Sequence, residues 1–340
     1  MNAKPKISVV IATYNSERTL EKCLDSVRAQ NYPQEMIELL IADGGSSDNS
    51  KKIALNHGAK IFDVPRDKQG AEYNKGYGLQ YAEGDFILCI DHDNILPHKE
   101  WLNKMLQPLL DNPEAVASEP WRYHYDKNFS LLDRYFALFG VNDPLPYYLK
   151  KADRIDHMHS VYNLLGKATD KRDYYIVEFD SSNPRKIPTL GANGFLIRRS
   201  LFLKSNHSPE KYFHIDINVD LVSKGYNRYI FIKDDIIHLT NSKLFNFLKR
   251  RKRFVDQYYM NNFSVRRYSV FYPEEDKLGL ALFIFYAITI VKPTLDSIKG
   301  WLKIRDFAWF VHPFMCLAIV YIYGTFILKN IFLNLIKKKY

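Results

Sequence analysis

Short apolar runs alternate with amphipathic stretches through the first hundred residues, and the alternation predicts a sheet covered by helices. Residues 7–12 (ISVVIA) predict a buried first strand. Residues 17–30 predict a helix with Leu20, Leu24 and Val27 on one face and Ser16 as its N-cap. A second strand is expected over 37–42 (IELLIA), a helix over 48–57 opened by Asp48, and a short strand over 60–64. A helix over 70–82 and a buried strand over 85–90 (DFILCI) complete the series. The order β-α-β-α-β-α-β predicts an α/β fold with a doubly wound nucleotide-binding core. From about 115 to 190 the chain is rich in Tyr and Asp and broken by Pro144, Pro146, Pro184 and Pro188, which predicts a loop-and-helix insertion over a site. Order returns with GANGFLIRRSLF, a helix near 216–225 ending at Gly225, and strands at 228–232 and 235–239.

The last third has a different pattern. Residues 243–260 mix Leu244, Phe245, Phe247, Leu248, Phe254, Val255, Tyr258 and Tyr259 with the basic run Lys249–Arg253, as in a helix lying in a membrane interface or docked on the core. Leu278–Val291 is an uncharged run of 14 residues closed by Lys292-Pro293. It is too short to cross a bilayer and reads as re-entrant, interfacial or half of a tilted hairpin. Phe307–Leu328, 22 residues with no formal charge and one titratable group, His312, lies between Arg305 and Lys329 and suits a span. The linear reading is therefore an α/β domain over 1–240, a basic amphipathic segment over 241–275, and membrane-associated hydrophobic helices over 276–340.

Charge sharpens this division. The net charge is +10, and the clusters Lys249–Arg253, Arg266-Arg267 and Lys337-Lys338-Lys339 all fall in the last third. Their proximity to the apolar runs favours an anionic membrane surface or lipid phosphate over nucleic acid. Cys23, Cys89 and Cys316 are far apart and fit neither a metal spacing nor a disulfide framework. They suit a reducing compartment, with residues 1–240 on the cytoplasmic side. The first fifteen residues lack the apolar region and cleavage site of a signal peptide.

The chemistry is concentrated where predicted strands end. Asp91 and Asp93 of Asp91-His92-Asp93 follow the strand at 85–90, where ligands bind in open α/β sheets. Two hard oxygen ligands suit Mn2+ or Mg2+ bridging phosphates. The segments KISVVIATYNSERTLEKCLDSV, IELLIADGGSSDNS and GDFILCIDHDN, in this order and spacing, resemble the inverting family 2 glycosyltransferases of the GT-A fold. The resemblance is specific over roughly residues 6–100 and continues less sharply to about 240. It implies a GT-A, Rossmann-like core and a nucleotide-diphospho-sugar donor carrying UDP, GDP or dTDP. By that resemblance Thr13, Tyr14, Asn15 and Glu17 line the nucleotide site, Asp43 bonds the base, and a basic residue, Lys68 with Arg66 in reserve, lies near the nucleotide. Asp91 and Asp93 hold the metal, and His238 resembles a third ligand found in some GT-A enzymes.

GANGFLIRRSLF resembles the segment that backs the acceptor site, and Asp216 aligns with the second member of an acidic pair that opens a helix. Asp216 is the expected general base, with Asp220 as the alternative, because the first acidic position is Ile215 here. Arg250 and Arg253, within an element loosely similar to the Q-R-x-R-W of processive synthases, are expected to contact the donor diphosphate or a lipid phosphate. The apolar C-terminal segments point to a polyprenyl-linked acceptor. A sugar nucleotidyltransferase would carry a glycine-rich basic loop after the first strand, where this chain has Thr13-Tyr14-Asn15-Ser16-Glu17-Arg18. A non-catalytic nucleotide-sugar-binding scaffold would not need Asp43, Asp91 and Asp93 together.

Overall fold

A computed structural model describes residues 4–261, 266–272 and 274–337. Lys338 and Lys339 lie outside these residues, and the side chains of Tyr258, Tyr259 and Lys337 are likewise outside what is described. The first half runs β1 (Ile7–Thr13), α1 (Glu17–Arg28), β2 (Ile37–Asp43), α2 (Ser50–Asn56), β3 (Lys60–Asp63) and α3 (Ala71–Leu79). It continues through β4 (Phe86–Cys89), β5 (Asn94–Ile95), α4 (Trp101–Asp111) and β6 (Ala117–Tyr123). Helices α5 (Leu131–Phe139) and α6 (Pro144–Tyr148) follow, then β7 (Lys167–Asp170), β8 (Tyr174–Glu178), β9 (Phe195–Arg198), α7 (Arg199–Phe202), α8 (His214–Ser223) and β10 (Arg228–His238). The chain ends with α9 (Leu244–Asn261), α10 (Lys277–Thr289), α11 (Val291–Lys303) and α12 (Val311–Lys337).

Two compact units result, Met1–His124 with Tyr162–Leu239, and Tyr125–Val161 with Thr240–Tyr340. Residues 125–161 thus group with the C-terminal residues rather than with the first 240.

The first unit is built on one sheet of order β3-β2-β1-β4-β9-β6-β10-β8-β7, with β5 pairing β10 off this path. Strands β3, β2, β1 and β4 are parallel, as the predicted β-α order requires. Ile7, Val9, Val10 and Ile11 are all inaccessible to solvent, the pattern of a strand covered on both faces. Leu20, Cys23, Leu24 and Val27 form the buried stripe of α1. Gly78 lets α3 lie close to the sheet, since a β-carbon there would meet Val10 Cγ1 and Ala42 Cβ at 3.1 Å.

Several local expectations are corrected. Ser16 precedes α1 but makes no side-chain cap; its hydroxyl accepts instead from Tyr14 N–H at 3.2 Å. Helix α2 starts at Ser50, and Asp48 accepts from the Ser50 and Glu17 amides just before it, both at 3.0 Å. The two strands expected at 228–232 and 235–239 are one strand, β10, with a register shift between Ile232 and Asp235. The region 115–190 is not only loop and helix, because it contains β6, β7 and β8. Pro120 is tolerated inside β6 because β9 pairs only Ala117 and Ser118, so the proline lies past the end of that pairing.

In the second unit, His312 of α12 is fully buried, with Tyr135 OH 3.0 Å from Nδ1 and Tyr148 OH 3.0 Å from Nε2. Tyr148 also donates to Asp296, which pairs with Lys292. Asp306 pairs with Arg134 at 2.9 Å and accepts from Tyr125 OH at 2.7 Å. These contacts explain why residues 125–161 group with the C-terminal helices. Among the described residues one helix, Phe307–Lys329, is long and apolar enough to cross a membrane. Helices α10 and α11 together pass the same test but are bent by 80°, with Ile290 at the break in left-handed conformation (φ 52°). The apolar run 278–291 is thus the first arm of a bent pair. Its thirteen helical residues reach about 20 Å, short of a hydrocarbon core about 30 Å thick.

Candidate active site

The carboxyl ends of β1, β2 and β4 converge on one edge of the first unit, and most of the residues expected at a donor site stand there. Asp43 ends β2 and is wholly buried. Its carboxylate accepts from Thr13 Oγ1 (3.0 Å), Gly45 N (2.9 Å), Ser46 N (2.8 Å) and Ser46 Oγ (2.6 Å). Burial works to raise its pKa, but the bonds from Ser46, Thr13 and Gly45 outweigh it and hold the group below the usual carboxylate range. Asp43 therefore shapes the loop after β2. Asn15, in left-handed conformation (φ 50°), accepts from Ser47 N at 2.9 Å, and Glu17 accepts from Asn49 N at 3.0 Å. Both tie the turn after β1 to the same loop. Tyr14, just before them, is 61% exposed, an aromatic face left open at the end of β1. Lys68 is half-exposed and pairs with Glu210 at 3.3 Å.

The two aspartates of Asp91-His92-Asp93 have different environments. Asp91 is partly exposed and accepts from the ammonium of buried Lys75 at 2.6 Å. Burial disfavours the charge on Lys75, yet Asp91 and Glu72 hold its pKa above the usual value. His92 turns to Thr19, with 2.8 Å between Nδ1 and Oγ1. Asp93 meets His238 because β5 pairs antiparallel with β10, placing Asn94 opposite His238. His238 Nε2 lies 3.6 Å from Asp93 Oδ1, a buried oxygen that no hydrogen bond reaches. Burial pushes the Asp93 carboxyl up, but the His238 imidazole, helped by His92, holds it at about 2. A buried anionic oxygen of this kind beside an imidazole suits a divalent cation. The donor set fits such an ion as a pair, Asp93 with His238. Asp91 stands on its lysine, and no three His, Cys, Asp or Glu side chains gather at metal-binding spacing among the described residues.

The segment GANGFLIRRSLF, expected to back an acceptor, is built around positive φ angles at Gly191 (114°), Asn193 (54°) and Gly194 (96°). Asn193 Nδ2 donates to Tyr123 OH at 2.9 Å, and the Tyr123 ring lies 5.3 Å from that of His238, so this loop adjoins the Asp93 side of the site. Gly191 packs on the first turn of α8, where a β-carbon would lie 2.6 Å from His214 O. Gly191→Ala should cost about 1–3 kcal/mol through the combined strain and clash, read by denaturant unfolding; an unchanged midpoint would contradict the tight approach. Asp216, in that first turn, is 1% exposed. Asp220 is turned to Asn206, whose amide donates to it at 2.8 Å.

Sequence reasoning passed over Glu72, Lys75 and His214. Glu72 Oε1 lies 2.8 Å from His214 Nδ1, and Glu72 Oε2 accepts from His214 N at 3.2 Å. The available signal was a Glu-x-x-Lys spacing on the expected helix at 70–82, one turn apart on the same face.

In the second unit, Arg250 and Arg253 are exposed on α9, while Arg251 between them turns inward to Asp143 and Tyr323 OH. Arg250 donates to Ser242 Oγ.

Comparison with known proteins agrees with this architecture. Glycosyltransferase AglE of Haloferax volcanii is 26% identical over 135 residues, covering 38% of this chain and 44% of that protein. A GalNAc(5)-diNAcBac-PP-undecaprenol beta-1,3-glucosyltransferase of Campylobacter jejuni is 34% identical over 97 residues, 27% of this chain and 31% of that one. The chain thus matches less than half the length of these relatives. Among solved structures, the mannosyltransferase PcManGT from Pyrobaculum calidifontis, in complex with GDP-Man and Mn2+, aligns with a TM-score of 0.50 and 13% identity. That alignment covers 95% of this chain and 87% of the other, and it supports the GT-A type of fold. Residues 8–202, more than half of the chain, match the family model described as glycosyl transferase family 2, and the protein belongs to that family.

Proposed function

We propose that the protein transfers a sugar, with inversion, from a nucleotide-diphospho-sugar (UDP-, GDP- or dTDP-linked) to a polyprenyl phosphate or a polyprenyl-diphosphate oligosaccharide at a membrane surface. The observation that carries this reading is Asp93, a largely buried carboxylate kept anionic, whose buried Oδ1 receives no hydrogen bond, just past the end of β4. Asp93 with His238 would hold Mn2+ or Mg2+, Asp91 facing the same ligand from its place on Lys75. Such an ion supplies charge neutralisation for the departing diphosphate.

The remaining work falls to the chain's own groups. Tyr14 offers its exposed ring to the base, while Thr13, Asn15, Glu17 and Asp43 fix the loop on which the nucleotide rests. Lys68 supplies positive charge near the phosphates. On an oligosaccharide acceptor, Asp216 takes the proton of the sugar hydroxyl as that oxygen attacks the anomeric carbon and the nucleoside diphosphate leaves, whereas a polyprenyl phosphate attacks through an oxygen already anionic. A lipid acceptor is favoured by the apolar surface of α10, where Leu278 is 73%, Phe285 60% and Ile288 66% exposed. The name of the Campylobacter relative describes an undecaprenol-linked substrate. Arg250 and Arg253 are suited to a lipid phosphate or the donor diphosphate. The three cysteines are free and buried, in keeping with a catalytic domain facing the cytoplasm.

The test is a panel of UDP-, GDP- and dTDP-sugars with polyprenyl phosphate in detergent. One donor should give a nucleoside diphosphate and a glycosylated lipid, and EDTA should suppress both by at least about tenfold. Release of pyrophosphate instead would identify a nucleotidyltransferase, and activity unchanged in EDTA would remove the metal from the scheme.

A further inference from the structure

We propose that α3 links the donor and acceptor halves of the site, with Lys75 and Glu72 as positioning residues; this rests on the glycosyl-transfer reading above. The two side chains are three residues apart and share one face of the helix. Both are largely buried, Lys75 at 4% and Glu72 at 14% side-chain exposure, and each is paired with a different part of the site. Lys75 holds Asp91 Oδ1 at 2.6 Å. Glu72 takes both the ring nitrogen and the backbone N–H of His214, the residue that opens α8 two positions before Asp216.

Paired buried charges are retained at a desolvation cost that an apolar pair of the same volume would avoid, so their use here is better explained by placement than by stability. The geometry provides for that placement. Gly76, next to Lys75, brings α3 against the segment leading into α8, where a β-carbon would lie 2.6 Å from Tyr212 Cβ. A ligand that engages Asp91 acts on Lys75, and through one turn of helix on the hydrogen bonds that set the start of α8. The catalytic base is thereby fixed in step with donor binding, which favours transfer to the acceptor over loss of the sugar to water.

The experiment uses the full-length protein with UDP and GDP, each with Mn2+, and then with the active donor. Amide exchange over His214–Ser223 should slow when the nucleotide binds the wild type, and should stay unchanged in Lys75→Met at nucleotide saturation. Glu72→Gln should bind nucleotide within about threefold of the wild type and still hydrolyse the donor in water. Its transfer to the acceptor should fall at least about tenfold, within the range for a misplaced general base. Lys75→Arg, which keeps the charge, should restore donor KM relative to Lys75→Met. Unaltered exchange in α8 of the nucleotide-bound wild type would overturn the link, whether or not sugar is transferred. Equal losses of hydrolysis and transfer in Glu72→Gln would overturn the positioning role. Nucleotide binding that slows α8 exchange, without sugar transfer from any donor, would leave the link standing and remove the reaction instead.

Discussion

Asp93→Asn should lower sugar transfer by about a thousandfold while the protein remains folded. The side chain is largely buried, 17% exposed, and Asn keeps its shape, so the packing against His238 survives. What is lost is the negative charge, which the His238 imidazole preserves in the wild type by holding the carboxyl at about 2. Losing an anionic contact to a divalent ion removes several kcal/mol of charge stabilisation in the transition state, and about 4 kcal/mol is a factor of a thousand. Because the folded carboxyl is held below its ordinary value of 3.8, its charge contributes stability, and the variant should melt at a modestly lower temperature while remaining folded at the assay temperature. Initial rates at saturating donor, measured with a melting curve on the same preparation, decide the matter. A loss smaller than about tenfold in a folded variant would show that Asp93 is not the principal ligand.

The second large effect is expected at Asp216. With a polyprenyl-diphosphate oligosaccharide as acceptor, whose attacking group is a hydroxyl, Asp216→Asn should reduce kcat by about a hundredfold to ten thousandfold, the range for loss of a general base. Nucleotide affinity should be unaffected, because Asp216 lies in α8 and not at the carboxyl ends of β1, β2 and β4. Asp220→Asn is the informative comparison. Its carboxylate already accepts from the Asn206 amide, so its replacement should change the rate by less than about threefold. If the two variants behaved in reverse, the base would be Asp220.

Much of the β-α series and the position of its strand-end aspartates was legible because it is local. Each strand of the β1–α1–β2–α2–β3–α3–β4 series announces itself within a dozen residues by an apolar run or a helical stripe, and Asp43, Asp91 and Asp93 follow strand ends read directly from the chain. His238 was placed beside Asp93 only by the family resemblance, as a third ligand, and not by any local pattern in the chain. Their encounter depends on β5, two residues long, pairing with a strand more than a hundred positions later. Lys75 escaped notice because lysine is ordinarily exposed, and nothing local reveals that its ammonium is buried against Asp91. Strand β6 was concealed by Pro120 and by charged residues whose accommodation depends on where β9 stops. The grouping of α5 and α6 with the C-terminal helices depends on contacts to His312 and Asp306 that no periodicity encodes.

His312 has a consequence for what the C-terminal apolar stretch means. Hydropathy alone treats Phe307–Lys329 as a greasy rod, interchangeable with any other of equal length. Yet its one imidazole is clasped by two tyrosine hydroxyls and stacked on Phe139, with ring centroids 3.8 Å apart. The helix is in effect a notched key, with His312 as one notch and Tyr323, whose hydroxyl donates to Asp143 at 3.0 Å, as another. A polyleucine replacement would keep the grease and lose the rotation and depth at which α12 seats against α5 and α6.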